Sequence, residues 1–169
     1  MKAIDLKIYP EECLRQRNFP ILQFDESCKK YIRQMADIMY INQGLGLAAP
    51  QAGLNIRLIV IDIGDGLTPF INPDITEKSK EKDRMEEGCL SLPGIKVQVT
   101  RPKTILLRAQ DERGIYFEKR YEGLMAKALQ HEIDHLDGKL ILDYLNRPSK
   151  ILAEMKLVNA KKRRSRLSK

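Results

Sequence analysis

Three stretches of the chain place apolar residues at the spacing of an α-helix. In the first, apolar side chains fall on one face from Asp25 onward, and Asp25 is suited to cap the first turn. The second, Tyr121–Asp137, repeats the pattern, and Gly138 follows where a C-terminal cap is expected. Pro148 and Ser149 can open a third helix near the C-terminus. The pattern therefore predicts three helices.

Between the first two helices, alternating apolar and polar residues predict a set of strands. Ile56–Ile63 is rich in β-branched residues and is followed by a glycine-rich turn. Further strands are predicted at Val97–Val99, Thr104–Arg108 and Ile115–Tyr121. We therefore expect an α+β fold of mostly antiparallel β-sheets packed around the central helix Tyr121–Asp137, with one helix in the N-terminal half and one at the C-terminus.

Several segments carry weaker patterns. Ile4–Tyr9 half-alternates, as a short strand would. Phe70–Asn72 and Ile75–Thr76 are predicted to be strand fragments near a sheet edge, because a proline lies between them. Glu77–Glu87 is dense in charges of both signs, which predicts a solvated loop.

Composition places the chain among ordinary globular proteins. Its 169 residues are 43% hydrophobic and 31% charged, which predicts a single domain over residues 1–169 with a sizeable core. Three unpaired-looking cysteines indicate a reducing compartment, and Cys28 lies on the apolar side of the first helix, so we expect it in the core. Without a signal peptide or an apolar run near the roughly 20 residues of a membrane span, we expect a cytoplasmic protein with no membrane partner.

The net charge of +7 is concentrated in a basic tail at about residues 161–169. Such a tail is typical of a solvated, frayed terminus. It is also typical of a segment that contacts nucleic-acid phosphates without reading sequence.

His131 and His135 are the only two histidines, and they lie four residues apart on the central predicted helix. At that spacing the two imidazoles share a face, with Cβ atoms about 5–6 Å apart, so both can bind one metal ion. Glu132, beside them in an H-E-x-x-H arrangement, can act as general base on a metal-bound water. The alternative is a half-buried helix face with no ligand role.

A catalytic metal usually has three protein ligands and an open position, and the sequence has no third histidine. The third ligand is therefore expected to be a thiolate or a carboxylate. Cys89 is the natural candidate, because it lies between Gly88 and a Pro93-Gly94 turn that can present its sulfur.

Gly44–Gly53 is a loop of glycines, alanines and small apolar residues. It lacks the spacing of a nucleotide-binding loop. Its bare backbone can pair with an extended peptide, as an added strand would, or can form a tight structural connection. Gln51, the one polar side chain in it, can be a buried hydrogen-bonding group or can donate to a substrate carbonyl.

Taken together, Gly44–Gln51, Glu87–Ser91 and Gln130–His135 resemble the three motifs of the peptide deformylase family, in the same order and spacing. The match covers about residues 40–140. The family is known to remove the formyl group from the N-terminal methionine of new proteins. The resemblance implies a metal-dependent hydrolase that acts on N-formylmethionyl nascent polypeptides and releases formate.

The resemblance also implies roles for individual residues. Cys89, His131 and His135 would hold one divalent metal ion, Fe(II) by analogy, with zinc, nickel or cobalt able to substitute. Metal-bound hydroxide would attack the formyl carbon, with Glu132 as general base and then general acid. The oxyanion would be held by the metal together with two hydrogen-bond donors. These donors would be the side-chain amide of Gln51 and the backbone N–H of Leu90.

For the substrate, the resemblance implies backbone pairing with Leu45-Gly46 and an apolar methionine pocket to which Leu45, Leu124 and Ala128 contribute. Lys127 is expected to face solvent or to lie at the pocket rim. Arg101 is expected to pair with Glu87 and fix the cysteine loop. The basic tail would dock the enzyme on the ribosome.

Two other functions remain open from sequence. A zinc endopeptidase could use the same helix with Glu154 as third ligand, nineteen residues after His135. A nucleic-acid-binding protein led by the basic tail would have a structural metal, for which four protein ligands are expected.

Overall fold

Three helices and seven strands are present in the part of the chain that this computed structural model describes, residues 4–167, with side chains described as far as residue 161. The helices are α1 (Glu26–Ile41), α2 (Gly123–Leu136) and α3 (Arg147–Leu167). The strands are β1 (Gly46–Ala48), β2 (Leu58–Ile61), β3 (Thr68–Lys78), β4 (Lys82–Gly88), β5 (Lys96–Pro102), β6 (Thr104–Gln110) and β7 (Tyr116–Glu122). Short 3₁₀ helices lie at Glu12–Arg15, Ala49–Ala52 and Ile141–Tyr144.

The strands form two sheets. Five of them pair in the order β1-β2-β3-β6-β7, while β4 and β5 form a separate two-stranded hairpin. Every pair of neighbouring strands is antiparallel. The predicted α+β fold is confirmed.

The five-stranded sheet is covered by a helix on each face. Successive residues of β2 point to opposite faces, so Ile59 and Ile61 pack with α2, whereas Leu58 and Val60 pack with α1. All four are fully buried. This explains why β2 reads as a continuous apolar run, and each such side chain contributes about 1.5–3 kcal/mol through burial.

A third apolar cluster joins the hairpin to the C-terminal part of the chain. Val97 and Val99 of β5 pack with Leu92, Leu142 and Leu157. The hairpin therefore packs on one side against residues of α3. Its other side faces the helix α2, which carries the histidines.

Helix α1 begins as predicted. One carboxylate oxygen of Asp25 accepts hydrogen bonds from the backbone N–H groups of Ser27 and Cys28, and Cys28 is buried in the core. Helix α2 begins two residues later than predicted, because Tyr121 and Glu122 belong to β7.

The predicted loop at Glu77–Glu87 is wrong. Its first residues end β3, and Lys82–Gly88 form β4, which pairs with β5 along its whole length. Backbone hydrogen bonds do not require apolar side chains, and only Met85 and Glu87 of β4 turn inward. Apart from the buried Glu87, the charged residues that suggested a loop are exposed to solvent.

The two fragments predicted around Pro73 form one strand, β3. The edge prediction is wrong for the first fragment, because Ile71 pairs with both β2 and β6. It holds for the second fragment, because β3 pairs with β6 alone from Asp74 onward. The register with β6 shifts between Ile71 and Asp74, so Pro73 sits in an irregularity where its missing N–H is tolerated.

Ile4–Tyr9 forms no strand. It lies between two loops, where Lys7 N–H donates to the carbonyl of Gln51 and Tyr9 N–H donates to that of Ser91. At the other end of the chain, the backbone of α3 stays helical to Leu167, where a frayed tail was expected. The basic side chains of residues 162–169 lie outside the described part.

No helix among the described residues is long and apolar enough to cross a membrane.

Candidate metal centre and substrate cleft

Helix α2 presents His131 and His135 side by side. Their positions one turn apart place the ring centroids 5.0 Å from each other. The opposite side of the helix, including Leu129 and Leu136, is buried against the five-stranded sheet. Packing of that apolar side therefore turns the two imidazoles toward the hairpin.

Cys89 follows directly after β4 and meets the two histidines. Its Sγ lies 3.2 Å from Nε2 of His135. One ligand atom each from Cys89, His131 and His135 can be chosen so that all three lie within 4.8 Å of one another. Among the described residues, no fourth protein ligand joins this cluster. A thiolate and two imidazoles fit a catalytic metal site with an open position.

Glu87 holds His131 in the orientation that a ligand needs. Nδ1 of His131 lies 2.8 Å from a carboxylate oxygen of Glu87, which accepts its hydrogen and leaves Nε2 free for a metal. The predicted pairing with Arg101 is confirmed, since two guanidinium nitrogens donate to the two oxygens of Glu87 at 2.5 and 3.0 Å. Arg101 also donates to Asp134 and to the hydroxyl of Tyr144.

The electrostatics of the cluster favour a cation between the ligands. Burial opposes a proton on His131, yet the hydrogen bonds that its imidazole donates to Cys89 and Glu87 outweigh burial and raise the pKa of His131 well above its usual value. A metal ion can replace that proton. Burial lowers the pKa of His135, so its imidazole is neutral and able to bind a metal.

Glu132 is buried beside the cluster. Burial raises the pKa of its carboxyl to about 7. Among the described residues, Oε2 of Glu132 has no hydrogen-bond partner. A carboxyl with a pKa near neutrality can both take and return a proton at physiological pH.

Gln51 is fixed on the far side of Cys89. Its side-chain oxygen accepts from the N–H of Ala48 at 2.8 Å, which determines the direction of the amide nitrogen. That nitrogen lies 3.2 Å from Oγ of Ser91 and 3.5 Å from Sγ of Cys89. The amide hydrogens therefore point toward the cluster.

A cleft of about 600 Å³ opens in front of these groups. The residues predicted to bind substrate all line it, as do the predicted catalytic and ligand residues other than His135: Leu45, Gly46, Gln51, Cys89, Leu90, Leu124, Ala128, His131 and Glu132. Leu45 and Leu124 are each about half exposed at its mouth. Leu45 and Gly46 lie at β1, the end strand of the sheet, so one backbone edge faces away from β2.

Some contacts around the site could not be predicted from sequence. Ser91 lies at the end of the motif Glu87–Ser91, but its hydrogen bond with Gln51 joins two loops that are distant in the sequence. The hydroxyl of Tyr144 donates to Asp134, which also accepts from Arg101. Lys127 is not solvent-facing, since its side chain is 12% exposed and lines the cleft.

The chain belongs to the polypeptide deformylase family, whose model matches residues 4–150. These enzymes are metal-dependent hydrolases that remove N-formyl groups from newly made polypeptides. The peptide deformylase of Thermotoga maritima is 42% identical over 154 residues, which cover 91% of this chain and 94% of that protein. The Hahella chejuensis peptide deformylase is 38% identical and covers 98% and 100%.

Solved structures agree. A peptide deformylase from Legionella pneumophila superimposes with a TM-score of 0.90 at 40% identity, over 98% of this chain and 99% of that one. The Ehrlichia chaffeensis peptide deformylase in complex with actinonin also gives 0.90, at 34% identity, over 96% and 99%.

The endopeptidase alternative loses its third ligand. Glu154, on α3, lies near Tyr9 and interacts with it. It is not a member of the cluster of Cys89, His131 and His135.

Proposed function

We propose that this chain acts as a single catalytic domain that deformylates N-formylmethionyl polypeptides at a metal held by Cys89, His131 and His135, with Glu132 as general base and then general acid. The observation that supports this most directly is the position of the Glu132 carboxyl, which is buried next to the three ligands and lines the same cleft.

The metal, when bound, supplies a Lewis acid that lowers the pKa of a water ligand and polarises the formyl oxygen. We assign it as Fe(II), with zinc, nickel or cobalt able to substitute. The thiolate and imidazole ligands suit iron and zinc alike, and the family resemblance favours iron.

Glu132 takes the proton of the attacking water and returns it to the leaving nitrogen of the substrate. Because the cleft wall excludes solvent from this carboxyl, its pKa of about 7 keeps both forms populated near neutral pH. The products are formate and a free N-terminal methionine.

Gln51 and Leu90 stabilise the oxyanion that forms as the formyl carbon becomes tetrahedral. The side-chain amide of Gln51 is held in place at its oxygen by Ala48 and is aimed toward Cys89. The backbone N–H of Leu90 follows Cys89 directly and is the second donor. Fixed donors of this kind stabilise developing charge without reorganising during the reaction.

The peptide backbone of the substrate pairs with Leu45-Gly46 at the outer edge of β1, as an added strand. The methionine side chain enters the part of the cleft lined by Leu45, Leu124 and Ala128. These are apolar, and the first two have exposed surface to bury.

The basic C-terminal tail docks the cytoplasmic enzyme on the ribosome, where formylated chains emerge. The charge of residues 161–169 supports this. Removing these residues is expected to weaken ribosome co-sedimentation and to leave activity on short peptides unchanged. Loss of both would contradict this division of roles.

The decisive experiment measures formate release from a formyl-Met-Ala-Ser peptide by protein purified without oxygen and loaded with Fe(II) or nickel. The native chain should release formate, and Glu132→Gln with equal metal content should be slower by roughly 10²-fold or more. Absence of formate from metal-loaded native protein would overturn the proposal.

A further inference from the structure

Two side-chain bridges join strand β4 of the hairpin to the metal-binding helix α2. On β4, Glu87 contacts His131, and four residues earlier Asp83 contacts Lys127, which is itself four residues before His131. The two bridges thus leave the same face of α2 one turn apart. The contact of Glu87 with His131 orients a proposed metal ligand. The contact of Asp83 with Lys127 has no role in the proposed deformylation reaction.

The space between these bridges is the outer end of the methionine pocket. Met85 of β4 lines the cleft on one side, while Leu124, Lys127 and Ala128 line it from α2. The long methylene chain of Lys127 therefore forms part of an apolar wall and carries its ammonium to the end of that wall.

The ammonium of Lys127 needs a partner at this place. Its side chain is 12% exposed, and its Nζ lies 2.5 Å from a carboxylate oxygen of Asp83. A mostly buried ammonium without a counterion is costly. Loss of Asp83 would drive the amine toward water or into the pocket, and either movement would change the wall.

Asp83 is the more exposed member of the pair. Its side chain is 48% exposed, and the hydrogen bond from Lys127 lowers the pKa of its carboxyl, so it stays charged at neutral pH. An exposed ion pair usually contributes little to stability. This pair is half-buried and joins two walls of a binding cleft, so its main effect is on geometry.

We propose that the Lys127–Asp83 ion pair is a specificity determinant, because it holds β4 against α2 at the outer end of the pocket and so limits the size of the first side chain that a formylated peptide can place there. This rests on the proposed deformylase function. With the pair intact, the pocket admits methionine and excludes bulkier side chains such as phenylalanine.

The experiment compares kcat/KM for formyl-Met-Ala-Ser and formyl-Phe-Ala-Ser peptides. In Asp83→Ala and in Lys127→Met, which keeps an unbranched side chain of similar length, the preference for methionine should fall at least fivefold, with most of the change in KM. Glu81→Ala is the matched control, since it removes a carboxylate that directly precedes β4 and pairs with Lys103 rather than with a residue of α2. It should keep the native preference.

Two further measurements make the result decisive. The charge-swapped double variant Asp83→Lys with Lys127→Glu should recover at least half of the lost preference. Hydrogen exchange of β4 amides should accelerate in both single variants at unchanged metal content, a readout that does not depend on catalysis.

An unchanged preference for methionine in both folded single variants would overturn the proposal. A charge-swapped double variant that is no more selective for methionine than the single variants would also overturn it. Failure of the deformylase function itself is distinguishable, because the native chain would then release no formate from the methionine peptide.

Discussion

Glu132 lies directly against Gly46, so closely that a Cβ atom built on this glycine would be 2.6 Å from the nearer carboxylate oxygen and 3.1 Å from Cγ. The strand β1 and the helix α2 thus approach each other closely at Gly46, where β1 has no side chain. The proposed base occupies the space that any other residue at position 46 would fill.

Gly46→Ala is therefore expected to displace the Glu132 carboxyl and to lower kcat by roughly a hundredfold, the usual contribution of a positioned general base. Metal content should not change. The measurement is steady-state formate release at matched metal loading.

A double-variant cycle provides the control. In a Glu132→Asp background the shorter carboxylate withdraws from position 46, so adding Gly46→Ala should cost less than it does in the native chain. An equal cost in both backgrounds would mean that the alanine acts elsewhere.

Arg101 neutralises the carboxylate that orients His131. Both side chains are about 95% buried. Burial alone would raise the pKa of Glu87, but the hydrogen bonds from His131 and Arg101 lower it to about 2. Arg101→Met leaves this charge unpaired and should lower the free energy of unfolding by about 3–5 kcal/mol, measured in urea. Metal affinity should fall by about 10–100-fold, because Glu87 then holds His131 less firmly.

The comparison for this variant is Arg108→Met, which breaks an exposed ion pair with Glu118. It should change stability by less than about 1 kcal/mol. Similar losses in the two variants would argue against the special role of the buried pair.

Removal of the metal should abolish formate release and lower the unfolding temperature, because an ion that binds only the folded state stabilises it. Dialysis against a chelator followed by a thermal scan measures both effects, and added nickel should restore them. His135→Asn lacks one ligand, so its unfolding temperature should not respond to the chelator. A full response in that variant would place the metal elsewhere.

Asp143 predicts an acid limit of stability. Burial would raise the pKa of its carboxyl, but hydrogen bonds from the Leu140 N–H, Lys150 and Arg15 outweigh burial and lower it. A lowered pKa means that the stabilisation is complete above the unfolded value of about 4 and is lost as the pH falls through the folded value.

Asp143→Asn should accordingly lower the free energy of unfolding by about 1–2 kcal/mol at pH 7, and the difference should shrink below about pH 4. Urea unfolding of both proteins between pH 2.5 and 7 measures this. Asp37→Asn, an exposed change on α1, serves as control and should stay within about 0.5 kcal/mol. A difference that is constant with pH would show that the charge is not responsible.

The local patterns that predicted correctly are those in which burial dictates the residue type. The apolar side of α2 and the continuous apolar run of β2 must be buried, so their periodicity appears in the sequence. Sequence patterns failed to predict the strands that are held mainly by backbone hydrogen bonds. Most residues of β4 are charged because one side of the hairpin meets solvent. β3 accommodates Pro73 where its register with β6 shifts.

From the sequence alone one can read two histidines one helical turn apart, a carboxylate beside them and a cysteine on a turn, and these residue types predict a metal-dependent hydrolase. Their arrangement in space depends on the tertiary packing. Contacts between residues far apart in the chain, such as Gln51 with Ser91 or Asp83 with Lys127, leave no periodic pattern in the sequence. They arise because the packing of α2 between the sheet and the hairpin brings three separate segments to one cleft.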